Sequence, residues 1–247
     1  MKKKYIIFDF DGTLVNTNRI IIDSWQACFE HFLGHKLPVE TIEATFGEVL
    51  MYSISYLIPD ADVDEVVDYY RTYQNEHKSA ETVHVFDGIK EVLAELRKRG
   101  CIIGVGTSRT TSSFWKFMEM FGMKESIDEA VTMNDVEKHK PNPETINAVL
   151  LKMMAHDRAA WEELEEHGEA KSQKTKCNFD DAIIPADVLD AAIMIGDTKF
   201  DIGCAQNAGI DSVLVGWSHY VDEDDMKAHG FEPTYRIKEP KELLEII

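Results

Sequence analysis

Short runs rich in β-branched residues recur along this chain, each followed by a segment with helical spacing. They are Tyr5 to Phe8, Cys101 to Val105, Ala130 to Thr132, Ala191 to Ile195, Ser212 to Val215 and Tyr235 to Ile237. The first, second, fourth and fifth are apolar on both faces, and a strand with no polar face cannot border water on either side. Such strands belong in the middle of a parallel sheet, with helices packed above and below. The expected fold class is therefore α/β, a doubly wound parallel sheet. The interval from Phe8 to Cys101 is too long for one crossover helix, and it predicts an inserted α-helical cap subdomain.

Within that interval Trp25, Phe29, Phe32 and Leu33 recur at i, i+4, i+7 and i+8, and Val63, Val66, Val67 and Tyr70 follow a similar stripe. These read as the core faces of helices. The predicted organisation is a catalytic core formed by residues 1–16 and 85–247 and a helical cap formed by residues 17–84. The chain re-enters the core at Asp87, an expected N-cap for a helix packing Ile89, Val92, Leu93 and Leu96 and closed by Gly100. A second helix packs Phe114, Phe117, Met118 and Phe121 and stops at Gly122, and a third follows Pro141-Asn142-Pro143 with Ile146, Val149, Leu150 and Met153 on one face. Residues 156–190 carry the charged run Glu162 to Glu166 and the polar run Glu169 to Lys176 without a strand pattern, and read as a solvated helix and loop.

With 26 Lys and Arg against 45 Asp and Glu, the net charge is −19. So acidic a surface repels phosphate backbones and anionic headgroups, so neither nucleic acid nor a membrane surface is an expected partner. The longest apolar runs fall far short of the roughly 20 residues of a membrane span. Asp9 and Asp11 interrupt the stretch that would have to be apolar in a signal peptide. A cytoplasmic location is expected. Cys28, Cys101, Cys177 and Cys204 lack the close spacing of a zinc or redox site and read as reduced thiols. His31 and His35 stand at i, i+4, but Gly34 lies between them and Pro38 follows, so no metal is expected there.

Four strand ends carry polar groups in a row: Asp9-Phe10-Asp11-Gly12-Thr13 after the first, Thr107-Ser108 after the second, Lys140 before Pro141 after the third, and Gly196-Asp197-Thr198-Lys199-Phe200-Asp201 after the fourth. Loops at the carboxyl ends of parallel strands build the ligand crevice, so these residues converge there. Asp9, Asp11, Asp197 and Asp201 would crowd negative charge into one place, which demands a cation or retained protons. All-oxygen ligands favour a hard ion such as Mg²⁺. A carboxylate beside such an ion and Lys140 can attack a phosphoryl group.

In these four motifs the chain resembles the haloacid dehalogenase-like superfamily, in its phosphatase branch with a helical cap. The resemblance spans residues 9 to 216 and includes Ala208-Gly209 and the cap pair Phe46-Gly47. It implies that Asp9 is the nucleophile forming an aspartyl-phosphate, and that Asp11 is the general acid and later the base. By the same resemblance Thr107 with Ser108, Lys140, Gly12 and Thr13 handle the phosphoryl group, Gly47 faces the substrate from the cap, and Asp9, Asp11 through its main-chain carbonyl, Asp197 and Asp201 hold Mg²⁺. Asn16 stands where relatives often carry Asp, and the stretch from Lys140 to Asp197 is longer than relatives usually show.

The expected function is a Mg²⁺-dependent phosphomonoesterase acting on a small phosphorylated metabolite, phosphoglycolate-like or a sugar phosphate. The runner-up is a phosphomutase resembling β-phosphoglucomutase, disfavoured because Gly196-Asp197 replaces the acidic pair of such mutases. A dehalogenase would need neither Asp11 nor a metal. A non-catalytic interaction module is disfavoured because neither the nucleophile nor any ligand is lost.

Overall fold

In the computed structural model the described residues are 2–157, 184–218 and 223–247. They form, in chain order, β1 (Tyr5–Phe8), β2 (Val15–Asn16), α1 (Asn18–Leu33), α2 (Val39–Glu43), α3 (Leu50–Leu57), α4 (Val63–His77), β3 (His84–Val85), α5 (Ile89–Lys98), β4 (Ile102–Gly106), α6 (Thr111–Met120), β5 (Glu129–Val131), α7 (Glu144–Met154), α8 (Ala186–Asp190), β6 (Ala192–Gly196), α9 (Lys199–Ala208), β7 (Asp211–Val215), α10 (Glu223–Ala228), β8 (Tyr235–Ile237) and α11 (Leu243–Ile246).

Six strands make one parallel sheet in the order β5-β4-β1-β6-β7-β8. From β1 the chain builds outward through β4 and β5, then returns to the other side of β1 with β6. The strand order reverses between β1 and β6, and that reversal opens the crevice beyond their carboxyl ends. Alternation along β1 divides the core in two. Ile6 and Phe8 pack with Leu93, Phe114 and Met118, whereas Tyr5 and Ile7 pack with Ile146, Val149 and Met153 of α7.

Helices α1 to α4 close around an apolar cluster of their own, centred on Trp25, Phe29, Ile42, Ile54, Val66 and Tyr70. The Trp25 and Phe29 rings stack with centroids 5.3 Å apart. The segment leaves and rejoins the sheet through an antiparallel pair, with Val15 opposite Val85 and Asn16 opposite His84. His31 stacks on Tyr69, and His35 lies past Gly34, whose φ of +77° ends α1.

The reading of Asp87 as an N-cap is corrected. Gly88, with φ +84°, holds that position ahead of α5, so Asp87 stands one residue too early to cap. The C-terminal stop at Gly100, φ +81°, is as the sequence suggests. Most of the charged 156–190 segment, and Cys177 with it, lies outside the described residues. Cys28, Cys101 and Cys204 are buried free thiols. Among the described residues no helix is long and apolar enough to cross a membrane.

Candidate active site

Beyond Phe8 the main chain of β1 keeps its register for one more residue, because the Asp9 N–H donates to the Ile195 carbonyl at 2.8 Å. Asp9 is thereby fixed at the carboxyl end of the sheet while its side chain is free to leave it. Alternation then turns Phe10 into the core, its ring edge-on to Phe114 with centroids 5.2 Å apart. Asp9 and Asp11, on either side of Phe10, both line one cavity. Gly12 follows with φ +76°, and a Cβ there would lie 2.1 Å from Asp197 Oδ2. Only glycine lets the β1 loop approach the β6 loop this closely.

Beneath the cavity lies a buried charge cluster. Lys140 Nζ donates to Asp9 Oδ1 at 2.7 Å, to Asp201 Oδ1 at 2.6 Å and to the Gly106 carbonyl at 3.2 Å. Asp201 is fully buried as the third residue of α9, and its Oδ2 accepts from the Thr198 N–H and hydroxyl at 3.1 and 2.7 Å. Asp197 Oδ1 accepts from the Thr13 hydroxyl at 3.2 Å and Oδ2 from the Ser218 hydroxyl at 2.6 Å. The loop that carries Lys140 is pinned by Glu144, whose carboxylate accepts from the main-chain N–H groups of Glu137 and Lys138 at 3.0 and 2.7 Å.

Burial pushes the Asp197 carboxyl up to about 7, with the Asp201 charge adding to it. Burial likewise raises Asp9 well above the usual carboxylate range, with Lys140 opposing and the other aspartates reinforcing. Burial pulls the Lys140 pKa down, but the charges of Asp201 and Asp9 outweigh it, raise it above the usual lysine value and hold the ammonium. Carboxylate oxygens of Asp9, Asp197 and Asp201 lie within 4.8 Å of one another, and among the described residues this buried trio has only the Lys140 ammonium against it. Fully ionised, such a set calls for a further cation, and hard oxygen donors without sulfur or imidazole fit a Mg²⁺-like ion.

Asp11 is held differently. Arg109 grips both of its oxygens, with Nε 3.0 Å from Oδ2 and an Nη donating to Oδ1, and the Thr17 hydroxyl donates to Oδ1 at 2.6 Å. Burial opposes the Arg109 charge, yet Asp11 more than offsets this and raises the guanidinium pKa. Thr107 lines the cavity; its N–H continues the sheet by donating to Val131 O at 2.9 Å, and its hydroxyl oxygen accepts from the Arg109 N–H at 3.2 Å. Ser108 Oγ donates at 2.8 Å to the carbonyl of Gly47, tying the sheet to the helical segment.

The cavity itself measures about 200 Å³ and lies between the strand ends and helices α1 to α4. Asp9, Asp11, Thr107, Ser108 and Gly47, all expected from sequence, are among its lining residues. Gly12, Thr13 and Lys140 are not; they stand behind the lining and brace Asp197 and Asp9. Sequence reasoning missed Arg109, Thr17, Glu144 and Ser218. Arg109 directly follows Thr107-Ser108, and a cation next to a phosphoryl-binding pair was a signal available there. Ser218 reaches Asp197 from beyond β7 and has no local signature.

Comparison with known proteins places the chain among known relatives. The family model for haloacid dehalogenase-like hydrolases matches residues 6–161, and a second model of the same kind matches 138–243. Pyrophosphatase PpaX of Halalkalibacterium halodurans is 28% identical over 247 residues, covering 100% of this chain and 98% of its own. The Bacillus mycoides pyrophosphatase PpaX is likewise 28% identical, with 100% and 98% covered. Among solved structures, a Lactobacillus plantarum protein provisionally assigned as a phosphoglycolate phosphatase superposes with TM-score 0.74 at 18% identity, both chains covered completely. A haloacid dehalogenase-like family hydrolase of Streptococcus pneumoniae does so with TM-score 0.68 at 23% identity, over 99% of this chain and 98% of that one.

Proposed function

Because this chain belongs to the haloacid dehalogenase-like hydrolase family and is a phosphatase of it, we propose that it hydrolyses a small phosphorylated metabolite through an aspartyl-phosphate on Asp9, with Mg²⁺ as cofactor. The observation that carries this reading is the state of Asp9: buried, fixed by the sheet, paired through Oδ1 with Lys140 at 2.7 Å, and lining the cavity.

An Asp9 carboxylate oxygen bonds to phosphorus while the ester P–O bond breaks, and the electron pair leaves on the alcohol oxygen. Asp11 gives that oxygen a proton. Water then bonds to phosphorus, Asp11 takes its proton, and the Asp9–phosphorus bond breaks to release inorganic phosphate. Lys140 offsets charge on Asp9, and the Thr107 hydroxyl donates to the phosphoryl group. A guanidinium gripping both Asp11 oxygens leaves no place for a leaving group. The Arg109–Asp11 pair therefore opens when substrate binds, freeing Arg109 to turn toward the phosphoryl oxygens. Asp9, Asp197 and the Asp11 main-chain carbonyl would hold the Mg²⁺, with Asp201 orienting Lys140 beside them. Bound there, the ion supplies neutralisation of the phosphoryl charge.

Phosphate release across a panel of phosphorylated metabolites, with Mg²⁺ and with chelator, tests the proposal. Turnover of small esters that stops in chelator and returns with Mg²⁺ is expected. Metal-independent turnover, or isomerised sugar phosphate without free phosphate, contradicts it.

A further inference from the structure

Away from Asp9 the lining of the cavity changes character. Arg71, Gln74, Asn75 and Lys78, spaced i, i+3, i+4 and i+7, present one face of α4 and its C-terminal end to the cavity, and Ser112 and Lys116 of α6 line it as well. The negative groups of the same lining are already engaged. Asp11 is gripped by Arg109, Glu48 Oε2 accepts from the hydroxyls of Ser53 and Tyr56 at 2.5 and 2.8 Å, and Asp9 is bound to Lys140. Arg71, Lys78 and Lys116, by contrast, have no carboxylate within 4.0 Å among the described residues. In a chain of net charge −19, three cations without a counter-charge around one cavity run against the background.

Their arrangement also links them to the catalytic end. Lys78 Nζ reaches from the helical segment to within 5.7 Å of the Phe117 ring centroid on α6, and Arg109 Cζ lies 4.6 Å from the same centroid. Both basic side chains thus share the Phe117 ring, which lines the cavity with them, so the basic group adjoins the catalytic end.

We infer that Arg71, Lys78 and Lys116 form a subsite for a second anionic group on the substrate, a carboxylate or a second phosphoryl carried by the same small molecule. This rests on the phosphatase reading for the other end of that molecule. An anion there meets three cations that no carboxylate of the described residues neutralises, Lys78 Nζ donating only to the neutral Asn75 Oδ1 at 3.2 Å, with Gln74 and Ser112 beside them. A phosphate ester with an uncharged tail leaves the cations unmatched and binds more weakly.

Three unreactive probes separate the possibilities by calorimetry at fixed free Mg²⁺: methylphosphonate with one anionic group, phosphonoacetate with a distal carboxylate, and methylenediphosphonate with a distal phosphonate. At least one two-anion probe is expected to bind about tenfold or more tightly than methylphosphonate. That ratio is expected to fall toward one in the Arg71→Gln, Lys78→Gln, Lys116→Gln triple variant. The larger ratio identifies the distal group, phosphonoacetate marking a carboxylate and methylenediphosphonate a second phosphoryl. A wild-type ratio near one, or a ratio unchanged in the triple variant, overturns the inference. Because the probes are not turned over, a failure of the phosphatase reading leaves this result standing, and phosphate release with a ratio near one defeats the subsite alone.

Discussion

Asp9 and Asp11 are two residues apart in sequence yet occupy opposite environments. Asp9 is buried against Lys140 with its pKa raised, whereas Asp11 is partly exposed and clasped by Arg109 and Thr17. The difference suits a fixed nucleophile and a mobile proton carrier. Asp9→Asn keeps the shape and removes the nucleophile. It is expected to lower kcat by about a hundredfold or more, ~2.7 kcal/mol of lost transition-state stabilisation, with circular dichroism unchanged; retained kcat would contradict the assignment. Gly12→Ala drives a Cβ toward Asp197 from a residue at φ +76°. Displacing Asp197 by even an ångström is expected to cost about a hundredfold in kcat and to raise the Mg²⁺ concentration needed for half-maximal rate. Of this constellation, Asp9 and Asp197 were legible because each directly follows an apolar strand, and Lys140 and Asp201 because they sit in the loop and the helix start beyond strand ends that meet in a parallel sheet. The Arg109 grip on Asp11 joins positions 98 apart, and Ser218 bonds Asn18 across 200 positions while holding Asp197. Contacts of that reach exist only once the sheet has formed.

Among the elements, the central strands were readable to within a residue because burial on both faces leaves an unbroken apolar run. β2 and β3, two residues each, carry no periodicity, and their pairing emerged only from the structure. Asp87 misled because an aspartate before a helical stripe is a usual cap, yet the chain turns at Gly88 instead. That short antiparallel pair is where the 17–84 segment is tethered, and the Ser108–Gly47 hydrogen bond is one contact by which the segment rests on the strand ends. The expected motion is that of a lid which opens at the tether and closes through the Gly47 loop. Gly47 has φ +86°, and a Cβ there would come within 2.6 Å of Thr198 Oγ1 and 3.0 Å of the Phe200 ring. Gly47→Val therefore props the lid. Its kcat/KM is expected to fall unequally among small substrates, by about tenfold or more for the compact ones that need closure. Equal losses on every substrate would count against the lid.

For the molecule as a whole, folding brings Asp9, Asp197 and Asp201 together inside a chain already at net charge −19. Asp197 rises from 3.8 to about 7 and Asp9 rises with it, so the native state keeps protons that the unfolded chain releases. Raised carboxyl pKa values subtract stability as pH climbs through that window. Without metal, the melting temperature is expected to fall between pH 5 and pH 8. Mg²⁺ binds the ionised carboxylates, so it should raise the melting temperature more at pH 8 than at pH 5. Equal gains at both pH values, measured by scanning calorimetry, would contradict the buried site. The central claim, that Asp9 carries the phosphoryl group, is tested most directly by quenching the enzyme in acid during turnover. Borohydride reduction of the quenched protein and peptide mass spectrometry then locate any acyl phosphate. The account predicts conversion of Asp9 to homoserine in the wild type and none in Asp9→Asn. An unmodified Asp9 in actively turning over enzyme, or reduction at another carboxylate, would contradict it.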